Sequence, residues 1–261
     1  MSQATEEKAE AFRALHAGEP FVIPNPWDAG SARVLAALGF RALATTSSGF
    51  AFTLGRLDGA VTLDEVVEHT AALTAATDLP VSVDLEDGHG ADPGVAIARV
   101  AEAGAVGASI EDWDRERLYD RDEAVERVTA AVAAARAVGS PFTLTARAEN
   151  YIRGNPDLED TIVRLQAFET AGADVLYAPG LSDVEDIRVL CGAVAKPVNV
   201  LARPTLTFQE LVDAGAQRVS VGGALTWAAV QALVEAATAI RDRGDFSLLG
   251  SSPPGDWLLQ A

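Results

Sequence analysis

The chain has 261 residues and a formal net charge of −18 at neutral pH, from 20 Lys and Arg against 38 Asp and Glu. With 49% hydrophobic and 22% charged residues, the composition is that of a globular protein and excludes disordered, collagen-like and coiled-coil chains. The negative charge repels phosphate backbones and anionic membrane surfaces, so we expect neither nucleic acid nor a membrane as a partner.

The first ten residues and the cysteine content predict a cytoplasmic protein. Residues 1–10 carry charges throughout and lack the apolar core of a signal peptide, and no stretch approaches the ~20 apolar residues of a membrane span. Cys191 is the single cysteine, which excludes an internal disulfide and a cysteine-rich zinc site. A reducing, intracellular compartment fits this composition best.

Eight short apolar segments have the pattern of buried strands. Four of them follow a predicted helix end at Gly39, Gly104, Gly172 or Gly215, where glycine accepts the left-handed conformation that stops a helix. The segments are apolar without alternation, which is typical of strands in a parallel sheet. In chain order, the predicted strands are 21–24, 41–46, 80–84, 106–111, 142–146, 174–179, 197–201 and 217–221.

Helix starts are predicted between these strands from independent signals. A Ser or Thr followed by Glu three residues later forms a capping box, and a proline after Asp or Asn fits a first helical turn. The capping boxes are Thr62 with Glu65, Ser182 with Glu185 and Thr207 with Glu210, and the proline signals are Asp92-Pro93 and Asn155-Pro156. Strands recur about every 28 residues, which is enough for one strand, one helix and two loops.

These alternating units predict an α/β fold, a single-domain (β/α)8 TIM-type barrel over residues 1–243. A doubly wound open sheet is the rival, but it usually has fewer strands and a GxGxxG first turn, which residues 25–28 do not provide. Residues 244–261 form a C-terminal tail with apolar side chains such as Phe246 and Trp257. We expect this tail to pack either on its own barrel or on a neighbouring subunit.

Acidic residues cluster where the active sites of such barrels lie, at the carboxyl ends of the strands. Segments 84–87 and 111–114 each hold three acids and end neighbouring strands three and four. Carboxylates that converge from two strands repel each other unless a cation lies between them. Oxygen ligands without a His or Cys set favour a hard ion such as Mg²⁺. The spacing alone leaves two interpretations open, a metal site and a solvated acidic rim.

Six segments at these strand ends form an ordered set. They are NPWDAGSAR at 25–33, TSSG at 46–49, LGRLD at 54–58, VDLEDGHG at 83–90, SIED at 109–112 and TARAE at 145–149. Together they resemble the isocitrate lyase and phosphoenolpyruvate mutase superfamily, over roughly residues 10–243. The resemblance implies a (β/α)8 barrel that acts on 2-oxo acids with Mg²⁺, or with Mn²⁺ in its place. It also implies a homo-oligomer, a dimer or tetramer, with helices swapped between subunits.

The resemblance implies a metal site at the ends of strands three and four. By this likeness Asp84 is the direct metal ligand, while Glu86, Glu111 and Asp58 hold water molecules around the metal. Glu86 stands where many members have Asp, so its longer side chain alters the predicted water shell. Asp58 has a second interpretation, as the cap of a turn before Gly59.

Substrate contacts are predicted from the ends of strands two, six and seven. We interpret the backbone N–H groups near Ser47 and Ser48, in a tight loop after Thr46, as donors to the substrate carboxylate or to a developing oxyanion, a place that the resemblance also implies. Tyr177 and Asn199 end strands six and seven, where each either lines the pocket or fills it.

Arg147, at the end of strand five, supplies the positive charge that the acidic chain otherwise lacks. A guanidinium can bind a substrate carboxylate through two hydrogen bonds. The alternative for Arg147 is a structural ion pair with Glu149 or Glu111. We predict Arg147, Asp58 and Glu111 as the catalytic residues.

The loop after strand four decides between the reactions of the superfamily. Its lyases carry a Lys-Lys-Cys-Gly-His type loop, whereas residues 113–120 here contain no cysteine. Its mutases and phosphonopyruvate hydrolases carry Lys with Asn or Thr, which this loop also lacks. By elimination we expect Mg²⁺-dependent cleavage of a C–C bond in a small 2-oxo acid, as in oxaloacetate decarboxylation, where solvent can protonate the enolate.

Three alternatives stay open at this point. One is a 2-methylisocitrate- or isocitrate-type lyase with a substituted general acid, Tyr119 or His89. Another is a phosphoenolpyruvate or carboxyphosphonoenolpyruvate mutase, or a phosphonopyruvate hydrolase. The last is a non-catalytic protein that binds a 2-oxo acid.

Overall fold

Eight parallel strands form the centre of the computed structural model, which describes residues 3–250. The strands are β1 (Phe21–Ile23), β2 (Leu43–Ala44), β3 (Val81–Asp84), β4 (Gly107–Glu111), β5 (Thr143–Arg147), β6 (Val175–Tyr177), β7 (Val198–Leu201) and β8 (Arg218–Ser220). They pair in the order β1-β8-β7-β6-β5-β4-β3-β2, and the Ala44 N–H donates to the Pro24 carbonyl at 3.1 Å, between the two ends of this row. The barrel is therefore nearly closed, and the predicted single-domain TIM-type fold is confirmed.

Helices surround the strands. They are α1 (Gln3–Leu15), α2 (Ala29–Ala37), α3 (Ser47–Thr53), α4 (Leu63–Ala76), α5 (Pro93–Glu102), α6 (Arg121–Ala137), α7 (Leu158–Ala171), α8 (Val184–Ala193), α9 (Phe208–Asp213) and α10 (Ala224–Arg243), with a 3-10 turn at Asn150–Arg153. The capping boxes of Thr62 and Thr207 are confirmed, and Asp92 caps α5 with Pro93 in its first turn. None of the helices in the described part of the chain is both long and apolar enough to span a membrane.

Three helix starts differ from the predictions, and side-chain acceptors explain two of them. Asp183, not Ser182, caps α8, because its carboxylate accepts the N–H groups of the next residues. Helix α7 begins after Asp157 for the same reason, two residues beyond Asn155. The predicted tight loop at Ser47 is wrong, because this residue begins the short helix α3.

The main core lies between the strands and the helical ring. Its largest fully buried side chains include Ile110, Leu144 and Leu176 from the strands and Phe168 from α7. Burial of such side chains contributes about 1.5–3 kcal/mol each, which fixes the strand positions. Helix α1, which precedes β1, packs its Phe12 side chain into a smaller apolar cluster with the first strand.

Helix α10 leaves much of its apolar surface exposed. Only Thr226 and Ala239 are buried among its residues, while Leu233 is 64% and Val234 is 52% exposed. The helix ends at Arg243, and the apolar side chains at 246, 248 and 249 that follow are also exposed. Residues 251–261, with the rest of the predicted tail, lie outside the described residues, so the packing of the tail stays a prediction.

Candidate active site

A cavity of about 220 Å³ opens at the carboxyl ends of the strands. Eight of the predicted site residues line it, namely Thr46, Ser47, Ser48, Asp58, Asp84, Arg147, Tyr177 and Asn199. A neighbouring cavity of about 430 Å³ is lined by the other two, Glu86 and Glu111, together with Asp58. The structure therefore brings the predicted residues together around two adjoining cavities.

Arg147 lies at the centre of an acidic cluster. Its Nη1 atom donates to Asp84 Oδ1 at 2.8 Å, and its Nη2 atom lies 2.7 Å from Glu149 Oε1 and 3.1 Å from Glu111 Oε2. Burial opposes the charge, but the three carboxylates raise the pKa of Arg147 well above its ordinary value. The ion pairs that we named as the structural alternative for Arg147 are thus present, with Asp84 as a third partner.

Asp84 is fixed by hydrogen bonds with Thr45 after β2, with Ser47 at the start of α3 and with Ser109 in β4. Its backbone N–H donates to Thr45 Oγ1 at 2.8 Å, and its carboxylate accepts from Ser47 N–H and from the Ser109 hydroxyl, each at 3.3 Å. Although burial acts to raise it, the pKa of Asp84 is held below its ordinary value by Arg147 and by the donors of Ser47. Asp84 is therefore an ionised carboxylate at the wall of the cavity.

The other predicted acids carry charges that their surroundings disfavour. Burial, followed by the Asp84 charge, raises the pKa of Glu86 to about 7. Burial also raises the pKa of Glu111 well above its usual range, and Glu149 adds to the rise while Arg147 opposes it. Burial, followed by the negative charge of Asp84, also raises the pKa of Asp58. A cation among these carboxylates would relieve their mutual repulsion.

These residues fit Mg²⁺ held mainly through water. Within residues 3–250, no group of three His, Cys, Asp or Glu side chains has the geometry to bind one metal ion directly. Mg²⁺ typically takes one or two carboxylates and completes its shell with water and substrate oxygens. Asp84 can supply the one direct ligand, because a carboxylate has about four lone-pair sites. The buried Glu86 Oε1 atom has no hydrogen-bond partner in the described chain and is free to accept from a water molecule.

The turn after β3 directs Glu86 toward this site. Glu86 has a φ of 48°, in the left-handed region that non-glycine residues adopt rarely. His89, in the same turn, also has a positive φ of 55°, and its Nδ1 atom lies 3.7 Å from Glu86 Oε1. Burial lowers the pKa of His89, so the ring is neutral at neutral pH. The strained turn thus holds a carboxylate and a neutral imidazole beside the cavity wall.

Two arginines border the 430 Å³ cavity, Arg115 from the loop after β4 and Arg153 from the turn after β5. Arg115 Nε lies 3.5 Å from Glu86 Oε2, and Arg153 Nη2 lies 3.0 Å from Glu149 Oε2. Both guanidinium groups line the 430 Å³ cavity, and that of Arg153 lies over the Trp113 ring at 4.9 Å. Tyr119, which we named as a substitute acid, packs under the Arg127 guanidinium and is not among the described residues that line either cavity.

Two residues at the lower part of the 220 Å³ cavity were not predicted from the sequence. Arg218 and Ser220, the first and last residues of β8, both line it. Asn199 connects them, because its amide donates to Ser220 Oγ at 3.0 Å and its oxygen accepts from Arg218 Nε at 2.8 Å. The available signal was an arginine inside an apolar strand, whereas the usual position of barrel active sites directed the prediction to residues that follow the strands.

Relatives of similar sequence are named as lyases and decarboxylases. A 2-methylisocitrate lyase of Halalkalibacterium halodurans is 29% identical over 83% of this chain and 76% of its own length. An oxaloacetate decarboxylase of Paraburkholderia xenovorans is 34% identical over 68% of this chain and 62% of its own. Both relatives are named for reactions that cleave a carbon–carbon bond.

Solved structures show the same barrel. A Burkholderia cenocepacia protein, named only in general terms as a lyase or mutase, superposes with a TM-score of 0.95 at 50% identity and covers 99% of this chain and 96% of its own. A phosphonopyruvate hydrolase crystallised with oxalate and Mg²⁺ has a TM-score of 0.85 at 22% identity, with 97% and 94% covered, and so shares the fold. The profile of the phosphoenolpyruvate phosphomutase family matches residues 12–241. With the barrel and the ordered strand-end residues, this match shows that the chain belongs to that family, within the isocitrate lyase and phosphoenolpyruvate mutase superfamily of lyases and mutases.

Proposed function

We propose that the protein is a Mg²⁺-dependent lyase that cleaves a C–C bond of a small 2-oxo acid, at the carbon next to the ketone and on the side away from it, with oxaloacetate as the first substrate to test. The observation that carries this proposal is the ionised Asp84 carboxylate at the cavity wall, surrounded by acids whose pKa values are raised. The relatives named oxaloacetate decarboxylase and 2-methylisocitrate lyase support the same class of reaction.

Each predicted residue has a distinct task in this proposal. Asp84 would hold Mg²⁺ directly, and Asp58, Glu86 and Glu111 would hold it through water. When bound, the metal polarises the ketone and stabilises the negative charge that develops as the adjacent bond breaks. Mn²⁺ can take the same place, because it also prefers oxygen ligands.

The substrate carboxylate would lie against helix α3 and Arg147. The Ser47 N–H already points at Asp84 from 3.3 Å, so it faces the predicted metal position. Arg147 would become available to the substrate once a cation neutralises the surrounding carboxylates, because the acids would then compete less for the guanidinium. Tyr177 lies beneath that guanidinium, with 5.2 Å between its ring centroid and Arg147 Cζ, and limits its movement.

Oxaloacetate decarboxylation requires neither a catalytic base nor a catalytic acid that this chain lacks. Carbon dioxide leaves without a base that removes a substrate proton, and solvent can protonate the product. The absence of a cysteine from residues 113–120 therefore does not oppose it. A 2-methylisocitrate-type lyase is the second candidate, because the 220 Å³ cavity continues below the predicted metal site to Arg218 and can hold a longer substrate.

The test is pyruvate release from oxaloacetate, methylisocitrate and phosphonopyruvate, with Mg²⁺ present. Replacing Asp84 with Ala should reduce turnover about 100-fold or more, because the metal would lose its direct protein ligand. Asp78→Ala is the matched control, since Asp78 is fully exposed before β3 and its one ion pair within the described chain is with Lys8, at 3.9 Å. Unchanged turnover of Asp84→Ala would contradict the metal assignment, and binding of 2-oxo acids without turnover of any of them would favour a non-catalytic protein.

We further propose that the working form is a cytoplasmic homo-oligomer. The exposed apolar side chains of α10, including Leu233 and Val234, support an interface with another copy of the chain. Exchange of a helix between subunits is the arrangement that the family resemblance implies. The reduced state expected for Cys191 is consistent with that compartment.

A further inference from the structure

Arg218 lies at the bottom of the 220 Å³ cavity, in the interior of the barrel. It is 5% exposed and begins β8. Its guanidinium contacts three neutral acceptors: Nε donates to Asn199 Oδ1 at 2.8 Å, Nη2 donates to Thr145 Oγ1 at 3.0 Å, and Nη1 lies 3.2 Å from His16 Nε2. A guanidinium has five N–H donors, so donors remain for a further partner.

The charge of Arg218 has no counterion among residues 3–250. None of the ion pairs that these residues form includes Arg218, whereas Arg147 has carboxylate oxygens within 3.1 Å on three sides. His16 does not share a proton with it, because burial and the Arg218 charge lower the pKa of His16 to about 3. Burial lowers the pKa of Arg218 to about 10, so the group is still charged at neutral pH. Buried charges in proteins are normally paired, and this one faces a cavity.

The strand geometry sets the distance between this charge and the predicted metal site. Thr145 and Arg147 lie two residues apart on the same face of β5, which separates them by about 6.6 Å along the strand. Arg147 contacts Asp84, and Thr145 contacts Arg218, so the two levels of the cavity are about that far apart. A chain of four C–C bonds of about 1.5 Å each, extended at both ends by a carboxylate oxygen at about 1.2 Å, can reach from one level to the other.

We propose that Arg218 forms a subsite for a second carboxylate of the substrate, below the level at which the 2-oxo acid group binds. The proposal rests on the proposed function for the position of the 2-oxo group. The carboxylate would receive the free guanidinium N–H groups and would supply the missing negative charge. Its chemical class is a 2-oxo acid, or the C–C adduct of one, with a carboxylate four bonds from the first.

This position also indicates which bond breaks. If the substrate carboxylate that binds Arg218 left as carbon dioxide, it would lose its charge and its contact with the guanidinium. The contact would then stabilise the bound substrate more than the transition state and would slow the reaction. The carboxylate at Arg218 is therefore one that remains in a product. Among the two candidate reactions, this favours cleavage that releases a carboxylate-bearing fragment, as in a 2-methylisocitrate-type lyase, over simple decarboxylation.

The experiment compares two ligands of equal chain length, 2-oxoglutarate and 2-oxopentanoate, which differ in the distal carboxylate. Calorimetry with Mg²⁺ should show that the wild type binds 2-oxoglutarate at least about tenfold more tightly than 2-oxopentanoate. Only 2-oxoglutarate has the distal carboxylate that can form a charge-assisted hydrogen bond with Arg218. In Arg218→Met the two dissociation constants should become equal. No preference in the wild type, or the same preference in Arg218→Met, would overturn the proposal.

Two further measurements keep the test decisive. If neither 2-oxo acid binds the wild type, the proposed function fails, and binding of succinate to chelator-treated protein then tests the subsite alone. Succinate should bind Arg218→Met about tenfold more weakly than the wild type, and equal binding overturns the subsite. If Arg218→Met does not fold, Arg218→Lys replaces it in the test, because lysine keeps the charge but lacks the planar guanidinium. Arg218→Lys should retain only part of the wild-type preference for 2-oxoglutarate over 2-oxopentanoate. An unchanged preference in Arg218→Lys would contradict the proposal.

Discussion

Two arginines inside the barrel have opposite electrostatic surroundings. Arg147 contacts Asp84, Glu111 and Glu149, whereas the partners of Arg218 in the described chain are neutral acceptors. A cation beside Asp84 would free part of the charge of Arg147, but Arg218 needs no such change to attract an anion. The two residues therefore favour a ligand with a negative charge at each end, one of which lies near the metal.

Glu86 tests the water-mediated part of the metal site. We expect Glu86→Gln to raise the Mg²⁺ concentration for half-maximal activity about tenfold, because loss of a group that orients metal ligands typically costs about 10–100-fold in affinity. Glu86→Asp should have a smaller effect, since it keeps the charge. The measurement is activity as a function of Mg²⁺ concentration.

The control for this change is Glu116→Gln, which removes the same charge from an exposed position in the loop after β4. It should leave the metal requirement unchanged. An equal metal requirement in Glu86→Gln and the wild type would show that Glu86 does not face the metal.

His69 makes the stability of the fold depend on pH. Its ring stacks on Phe50 with 3.8 Å between centroids, and burial lowers the pKa of His69 to about 4, from 6.5. The unfolded chain therefore binds a proton that the folded chain rejects, so the free energy of unfolding falls as pH falls from about 6.5 to 4. Relative to the wild type, His69→Phe should lose about 2 kcal/mol less stability between pH 7 and pH 5.

Urea unfolding of both proteins at the two pH values measures this difference. The comparison of matched proteins removes the contributions of the buried acids, which are common to both. The same pH dependence in His69→Phe and the wild type would show that the pKa of His69 does not change on folding, which would contradict the prediction.

At the level of elements, the strands were predictable and several contacts were not. The apolar runs that end in Asp84 and Arg147 identify their strands within a residue, because burial on both faces excludes polar residues there. Helix α3 was missed because Ser47 and Ser48 are weak helix formers, and their helix depends on the Thr46 cap and on packing. The subsite at Arg218 was missed because it depends on contacts between elements far apart in the chain.

Helix α3 holds the Ser47 N–H in place through close packing at Gly49. A Cβ atom at Gly49 would lie 2.6 Å from Thr46 Cγ2 and 2.7 Å from Thr226 Oγ1, which joins α3 to the buried start of α10. We expect Gly49→Ala to destabilise the fold by about 1–3 kcal/mol and to reduce substrate affinity, because the helix must shift. Denaturant unfolding and a binding titration measure the two effects.

Gly192 provides the matched control, because it lies in helix α8 and a Cβ atom there would meet no atom within 4 Å. Gly192→Ala should be neutral or stabilising by up to about 1 kcal/mol, since alanine favours helix. Equal stability of Gly49→Ala and Gly192→Ala would contradict the packing argument.

At the level of the whole molecule, the exposed face of α10 predicts self-association. The wild type should sediment as a particle larger than its 27.2 kDa chain, and Leu233→Glu with Val234→Glu should shift it toward the monomer. Leu38→Glu is the control, because Leu38 is 70% exposed but lies at the end of α2. A wild type that sediments as a monomer would contradict the predicted interface.

The central claim is that one divalent cation binds at Asp84 and recruits a 2-oxo acid. Titration with Mn²⁺, followed by electron paramagnetic resonance, tests it most directly, because free Mn²⁺ gives a signal that decreases on binding. We predict one Mn²⁺ per wild-type chain, bound more tightly when oxalate is added, and about tenfold or more weaker binding to Asp84→Ala than to Asp78→Ala. Equal Mn²⁺ binding by the two variants, or no effect of oxalate on the wild type, would contradict the account.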